Sequence, residues 1–247
     1  MKNIYLFVCM AFCLFSCKKD SNTSPETLPN SYSNQTLGAS ANDMLSAAKY
    51  TALDIQVQYM PGYQLDAATI SNVVTYLNTV CNKPGGITIS QTQIAANSDT
   101  LNVDEVAIIE AQNRTAYTNG ATLAVYVLVT GGYDTSLTVL GFAYRNTSIC
   151  LFGKDIFSNS GGIGEVSRVS LESSVLEHEF GHIMGLVNIT TPMVVPHQDV
   201  AHGYHCNNPA CLMYYAIETH DGLGMYGNTI PVLDSNCRND LHANGGK

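Results

Sequence analysis

Two histidines and a glutamate carry the most chemistry in this chain. They stand in the run His178-Glu179-Phe180-Gly181-His182-Ile183-Met184-Gly185-Leu186-Val187-Asn188. On a helix, residues four apart share one face about a turn apart, so His178 and His182 can hold one metal ion between them. Zinc accepts imidazole nitrogen readily, and Glu179 beside the first ligand is placed to take a proton from a zinc-activated water. Val175, Leu176, Phe180, Ile183 and Met184 make the same segment apolar. The polar triplet therefore sits in a buried wall, where charged groups need a partner.

The H-E-x-x-H spacing is the pattern of zinc proteases. The longer metzincin form continues with a glycine and a third histidine. Gly185 holds the glycine position, but Asn188 stands where the histidine belongs. A neutral amide oxygen is a poor match to zinc, which in a catalytic site takes three protein ligands and leaves one position for water. The third ligand must come from downstream, where His197, Asp199, His202, His205, Cys206, Cys211, His220 and Asp221 lie. His220 and His242 have no motif around them and read as surface residues.

One downstream stretch, His205-Cys206-Asn207-Asn208-Pro209-Ala210-Cys211-Leu212-Met213, resembles the archaemetzincin-like proteases. Their pattern runs His-Cys, four residues, Cys, one residue, Met; here it is displaced by the inserted stretch Asn188 to Tyr204. The likeness also extends to bacterial lipoprotein metalloproteases that combine Gly-Leu-Val-Asn with a later His-Cys…Cys-Leu-Met segment. It covers roughly residues 170–215. It implies His205 as third zinc ligand, Met213 as the methionine of the turn beneath the metal, and Tyr215 as a group near the transition state. His202 is the chief rival to His205, with His197 and Asp199 behind it. Archaemetzincins add a structural zinc held by four cysteines, whereas only Cys206, Cys211 and Cys237 are suitably placed here. The expectation is one catalytic zinc ion and a disulfide between Cys206 and Cys211.

The elements that must position these groups are read from periodicity. Asn42 to Lys49 reads as a short helix. Ala52 to Tyr59 alternates like a half-buried strand. Asp66 caps a helix through about Val80, with Ile70, Val73, Val74 and Leu77 on one face. Pro84-Gly85-Gly86 turns the chain into a strand at Ile87 to Ile89. Val103 to Thr115 reads as a second amphipathic helix, with Val106, Ile109 and Glu110 at helical spacing. Leu123 to Val129 is a buried strand, succeeded by strands at Val139 to Tyr144 and Ser148 to Phe152. After the Gly- and Ser-rich loop 158–164, Ser170 or Ser173 caps the zinc-binding helix, which runs to about Leu186. Beyond Val187 the periodicity is lost. The fold class expected is α/β: a mixed sheet with packed helices, a zinc-binding active-site helix and a loop-rich, metzincin-like C-terminal part.

The chain has 247 residues, 45% hydrophobic and 13% charged, with a net charge of −9. Nucleic-acid partners need a basic face, which this composition lacks. Lys2 precedes the apolar stretch Ile4 to Phe15, too short to span a bilayer. Leu14-Phe15-Ser16-Cys17 resembles the lipobox of bacterial lipoproteins, in which the cysteine is lipidated. The organisation expected is a signal peptide at 1–17 with lipid on Cys17, a flexible tether at 18–38, and one metalloprotease domain at 39–247. The protein is thus expected to be exported, lipid-anchored at the outer membrane or cell surface, monomeric, and to act on a protein or peptide substrate. Two alternatives stand beside the zinc metallopeptidase. One is a catalytically degenerate zinc-binding surface lipoprotein, against which Glu179 argues. The other is a zinc amidase acting on cell-wall peptides, which shares the metal chemistry.

Overall fold

A computed structural model describes residues 31–247. Cys17 and the signal segment lie outside the described residues, as does most of the expected tether. The ordered chain starts before residue 39. A 3-10 turn at Tyr32–Asn34 is held by Asn146, whose side chain donates to the Tyr32 carbonyl (2.7 Å) and accepts from the Gln35 N–H (3.2 Å). Tyr32 also donates to Asp43 at 2.7 Å. These bonds tie residues 32–35 to the domain, which a purely flexible tether to 38 does not allow.

The chain then builds α1 (Ala41–Leu45), β1 (Ala52–Tyr59), α2 (Ala67–Val80), β2 (Gly86–Gln93), β3 (Thr100–Leu101) and α3 (Val103–Asn113). Next come β4 (Thr122–Thr130), β5 (Tyr133–Asp134), β6 (Gly141–Arg145), β7 (Ser148–Phe152), α4 (Gly153–Ser158), α5 (Arg168–Ile183) and α6 (Ser235–Ala243). The main sheet has the order β2-β1-β4-β7-β6. Its first four strands are parallel, and β6 closes one edge antiparallel to β7. This is a mixed α/β fold with helices on both faces.

The buried run of β4 shows how the layers form. Leu123, Val125, Val127 and Val129 face the core beneath α2 and α5. Tyr126 and Leu128 face a second core, where Val106 and Ile109 of α3 pack. A strand covered on both faces reads as a continuous apolar run, as this one does. The helix starts are chemically explicit. Asp66 accepts from Ala68 N at the start of α2, and Asn102 with Glu105 forms a full capping box on α3.

The zinc-motif helix starts earlier than expected. Ser167, not Ser170 or Ser173, caps α5 by accepting from Ser170 N. Every residue from Ser170 to Ile183 is buried. A polar tie fixes α5 to α2: Thr69 donates to Glu172 at 2.6 Å and Asp66 N donates to the same oxygen at 3.1 Å.

Glu177 points away from its neighbour His178, toward a cavity of about 390 Å³ lined by Tyr76, Val80, Leu233 and Leu241. It is 5% exposed, and burial pushes its carboxyl up to about 8 from an ordinary 4.5. Between those values the folded state holds a proton that the unfolded chain has released, so stability falls as pH rises through this window. Glu177→Gln is expected to remove that slope, which is at most about 1.4 kcal/mol per pH unit. Urea denaturation at pH 5 and pH 8 checks it: the variant should be the more stable protein at pH 8, by on the order of 2 kcal/mol.

Candidate metal centre

Helix α5 is terminated by a sharp turn at Gly185. This glycine has φ +73°, and a Cβ there would meet Thr190 Oγ1 at 2.4 Å and the Thr191 amide nitrogen at 2.9 Å. Val187 and Asn188 also adopt positive φ, 51° and 66°. Asn188 thus turns the chain at an exposed position, leaving the third ligand to the loop beyond it. That loop returns through a bridge between Gln198 and Cys206, with Cys206 N bonded to the Met213 carbonyl. Gly181 on α5 is where Met213 seats: a Cβ would lie 2.2 Å from the methionine sulfur. Only glycine admits that approach.

The structure brings His178, His182 and His205 together. Their ring centroids lie 4.7, 5.0 and 5.2 Å apart. His178 Nδ1 bonds to the Leu212 carbonyl at 2.7 Å, and His205 Nδ1 to the His202 carbonyl at 2.6 Å. A carbonyl only accepts, so both rings carry a proton on Nδ1 and turn Nε2 inward. This is how outer hydrogen bonds orient metal-ligating histidines. The Nε2 atoms of His178 and His182 are only 3.0 Å apart.

A fourth group, Glu218, joins this ring, just after the 3-10 turn Tyr215–Ile217. The four residues offer donor atoms that all lie within 4.8 Å of one another, a candidate metal site. Nothing in the sequence singles out Glu218, which stands five residues after Met213 and belongs to no recognised spacing. Glu179 is fully buried beside the Glu218 carboxyl and the Ala143 backbone N–H, yet neither of its oxygens makes a hydrogen bond of ordinary geometry among the described residues.

Electrostatics agree with a site built for a cation. Burial drives the His182 imidazole down to about 4, so it is neutral. Burial, and then the charge of Glu218, hold Glu179 well above the usual carboxylate range. Burial works against charge on Glu218 too, but the three imidazoles outweigh it and hold its carboxyl well below the ordinary value. His205 is raised because Glu218 outweighs its burial. One proton on His205 offsets Glu218, and His182 Nε2 can serve the His178 lone pair at 3.0 Å. Three imidazole nitrogens and a carboxylate turned on one point are nonetheless a donor set that suits a dication.

The remaining candidates are elsewhere. His202 is bonded to Asp199 at 2.6 Å, and its ring stacks on Tyr215 at 3.7 Å between centroids. Tyr215 is therefore beside the cleft, engaged with His202 rather than inside the ring of donors. His220 bonds to Asp155 at 2.9 Å.

His197 lies at a second cluster, and the expected disulfide is absent. Cys206 and Cys211 are free thiols, as are Cys81, Cys150 and Cys237. Cys206, Cys211 and Cys237 converge with Asp234 in a second group able to hold a metal. Cys211 and Cys237 sulfurs are 3.6 Å apart, and His197 Nδ1 lies 3.4 Å from Cys206 and 3.9 Å from Cys237. The opposite nitrogen of His197 bonds to the buried Asp240 at 2.7 Å, which leaves Nδ1 as a lone pair facing the thiols. Asp234 is already committed as the N-cap of α6, accepting from Cys237 N. Hydrogen bonds from the two neighbouring thiols hold Cys211 down at about 4, the behaviour of a thiolate. A histidine 40 residues before Cys237 thus stands beside the thiols, where only the returning loop brings it.

An open cleft of about 310 Å³ borders the histidine site. Phe142, Ala143, Glu179, His182, His202, His205 and Glu218 form part of its walls. Phe142 and Ala143 belong to β6, the edge strand of the sheet.

No protein-family model and no curated protein matches the chain. Among solved structures it is similar to archaemetzincin from Methanopyrus kandleri, with a TM-score of 0.43 and 12% identity over 80% of this chain and 96% of that one.

Proposed function

We propose that this protein is a zinc-dependent metallopeptidase whose catalytic ion is held by His178, His182 and His205. The observation that carries this reading is the buried convergence of three imidazoles, two with their outer nitrogens fixed on carbonyls, next to the unpartnered carboxylate of Glu179. Zinc at such a site lowers the pKa of water from 15.7 to about 7 and polarises a carbonyl. Glu179 accepts the water's proton on a carboxylate oxygen and passes it to the leaving amine. Its neutral state in the bare site is no obstacle, because a dication reverses the sign of the nearest charge. A peptide is favoured as substrate because β6 is an unpaired edge beside the cleft, where an extended chain can add as a strand. Tyr215 stacks on His202, which lines the cleft, so its part in this reading is to support that wall rather than to reach the ion.

The thiol cluster is assigned to a second, structural zinc held by Cys206, Cys211, Cys237 and His197. Cys₃His is an established structural zinc set. The lipid anchor at Cys17 belongs to the same proposal and rests on the lipobox-like run Leu14-Phe15-Ser16-Cys17. The test is direct. Purified protein should carry two zinc equivalents by elemental analysis and cleave members of a peptide library, with cleavage stopped by a chelator and restored by zinc. Full zinc with no cleaved peptide would favour the catalytically degenerate alternative. Cleavage confined to cell-wall peptides would favour the amidase.

A further inference from the structure

Glu218 has no part in the proposed hydrolysis, yet it is built into the centre. Among the described residues its carboxylate makes no ion pair with a lysine or an arginine; its polar neighbours are the three imidazoles and the carboxyl of Glu179. Oε1 lies 3.2 Å from His205 Nε2, and Oε2 lies 3.5 Å from His178 Nε2 and 3.7 Å from His182 Nε2. A salt bridge to His205 alone would need only the first of these. Ligands about 2.0–2.2 Å from a tetrahedral zinc are separated from each other by about 3.3–3.6 Å. Taken from one oxygen, the two Oε2 contacts, 3.5 and 3.7 Å, lie close to that spacing, and the 3.0 Å between His178 and His182 is a little shorter, while the second oxygen faces His205.

We infer that Glu218 is the fourth ligand of the resting ion, so that the chain itself fills the position a catalytic water needs. This rests on the three-histidine reading and makes the site latent. Release is a side-chain movement, because the main chain at Glu218 is pinned. Leu140 N donates to the Glu218 carbonyl at 2.7 Å, and Thr219 bridges to Val139 immediately before the edge strand β6. Glu218 also forms part of the cleft wall with Phe142 and Ala143. A peptide laid along β6 therefore enters the space into which the carboxylate closes, and its scissile carbonyl competes for the same coordination position. Substrate binding and opening of the site are one event.

The cobalt-substituted full chain tests this, with acetohydroxamate as a small metal-binding probe. Glu218→Ala should change the visible cobalt absorption, weaken cobalt affinity by at least about tenfold and tighten acetohydroxamate binding by at least about tenfold. Glu218→Gln, which keeps the shape, should do the same if the alanine variant folds poorly. Identical spectra, cobalt affinity and acetohydroxamate binding in wild type and both variants would remove Glu218 from the coordination sphere. His182→Ala separates the two readings. If it retains all the cobalt of the wild type, the three-histidine site itself fails and this inference falls with it. If it loses one equivalent while the Glu218 variants match wild type, only Glu218 is misassigned.

Discussion

Glu179→Gln is expected to retain both zinc equivalents and to lose peptide cleavage by about 10²–10⁴-fold in kcat/KM, the usual contribution of a positioned general base. The substitution changes one property. Glutamine has nearly the same size and reach, so the buried wall formed with Phe180 and Ile183 is not disturbed. It cannot accept the water's proton, since its oxygen is a far weaker base. Glu179 is outside the ring of four donors around the ion, so metal content should be unchanged. Folding should not suffer either: both Glu179 oxygens are buried without partners, and a neutral amide is easier to bury there than a carboxylate. A fluorogenic peptide assay with elemental analysis on the same sample reads both quantities. A zinc-replete variant within tenfold of wild type would take the base role away from Glu179, and Glu218 would be the next carboxylate to examine.

That two carboxylates flank the three imidazoles marks the boundary of what the sequence discloses. His178, Glu179 and His182 are legible because a helix turns local spacing into local geometry; four residues apart means one face. The strands and helices before the motif are legible for the same reason. Asp66 and Asn102 caps, the two-sided apolar run of β4, and the inward face of Val106, Ile109 and Glu110 are all statements about neighbours in sequence. The start of α5 differs from expectation because three serines compete in Ser167 to Ser173, and only the bond to Ser170 N chooses among them. The two-residue strands β3 and β5 are too short to show a period.

Beyond Val187 the structure is held by long-range bonds, and periodicity has nothing to register. His205 is reached by resemblance, not by spacing from the helix. Its position depends on a loop that turns on two non-glycine residues with positive φ and hooks back through Cys206. Glu218 is not legible as a ligand, and His197 is weighed only for the other site, for a related reason: the groups they meet include His182 and Cys237, 36 and 40 residues away along the chain, through loops with no repeat. A Cys206–Cys211 disulfide is the economical reading of two cysteines five residues apart in a chain expected to be exported. It fails because Cys237, arriving on α6, and His197, oriented by Asp240, give those thiols two further partners and so a metal-like shell.

That shell carries the second large expected effect. Cys237→Ser should reduce zinc from two equivalents to one and destabilise the protein by on the order of 3–5 kcal/mol, the scale for loss of a structural metal from a domain that has its own core. Cys206 adjoins His205, Cys211 lies two residues before Met213, and Cys237 holds α6 over both. Removing the ion releases the loop that carries the third catalytic ligand. Catalytic zinc should therefore dissociate more readily from Cys237→Ser, by about 10–100-fold in affinity, the range found when groups that support a ligand are removed. His197→Ala should take the same course and in addition leave Oδ2 of the buried Asp240 without its partner, Oδ1 keeping the Val194 N–H. Thiol titration of the unfolded, unreduced chain supplies the opposing measurement. With the signal and Cys17 outside the count, the metal shell requires all five of Cys81, Cys150, Cys206, Cys211 and Cys237 to react after chelation. If Cys206 and Cys211 were bridged, only the other three would react, the second zinc would be absent from the wild type, and Cys237→Ser would leave both metal content and stability close to unchanged.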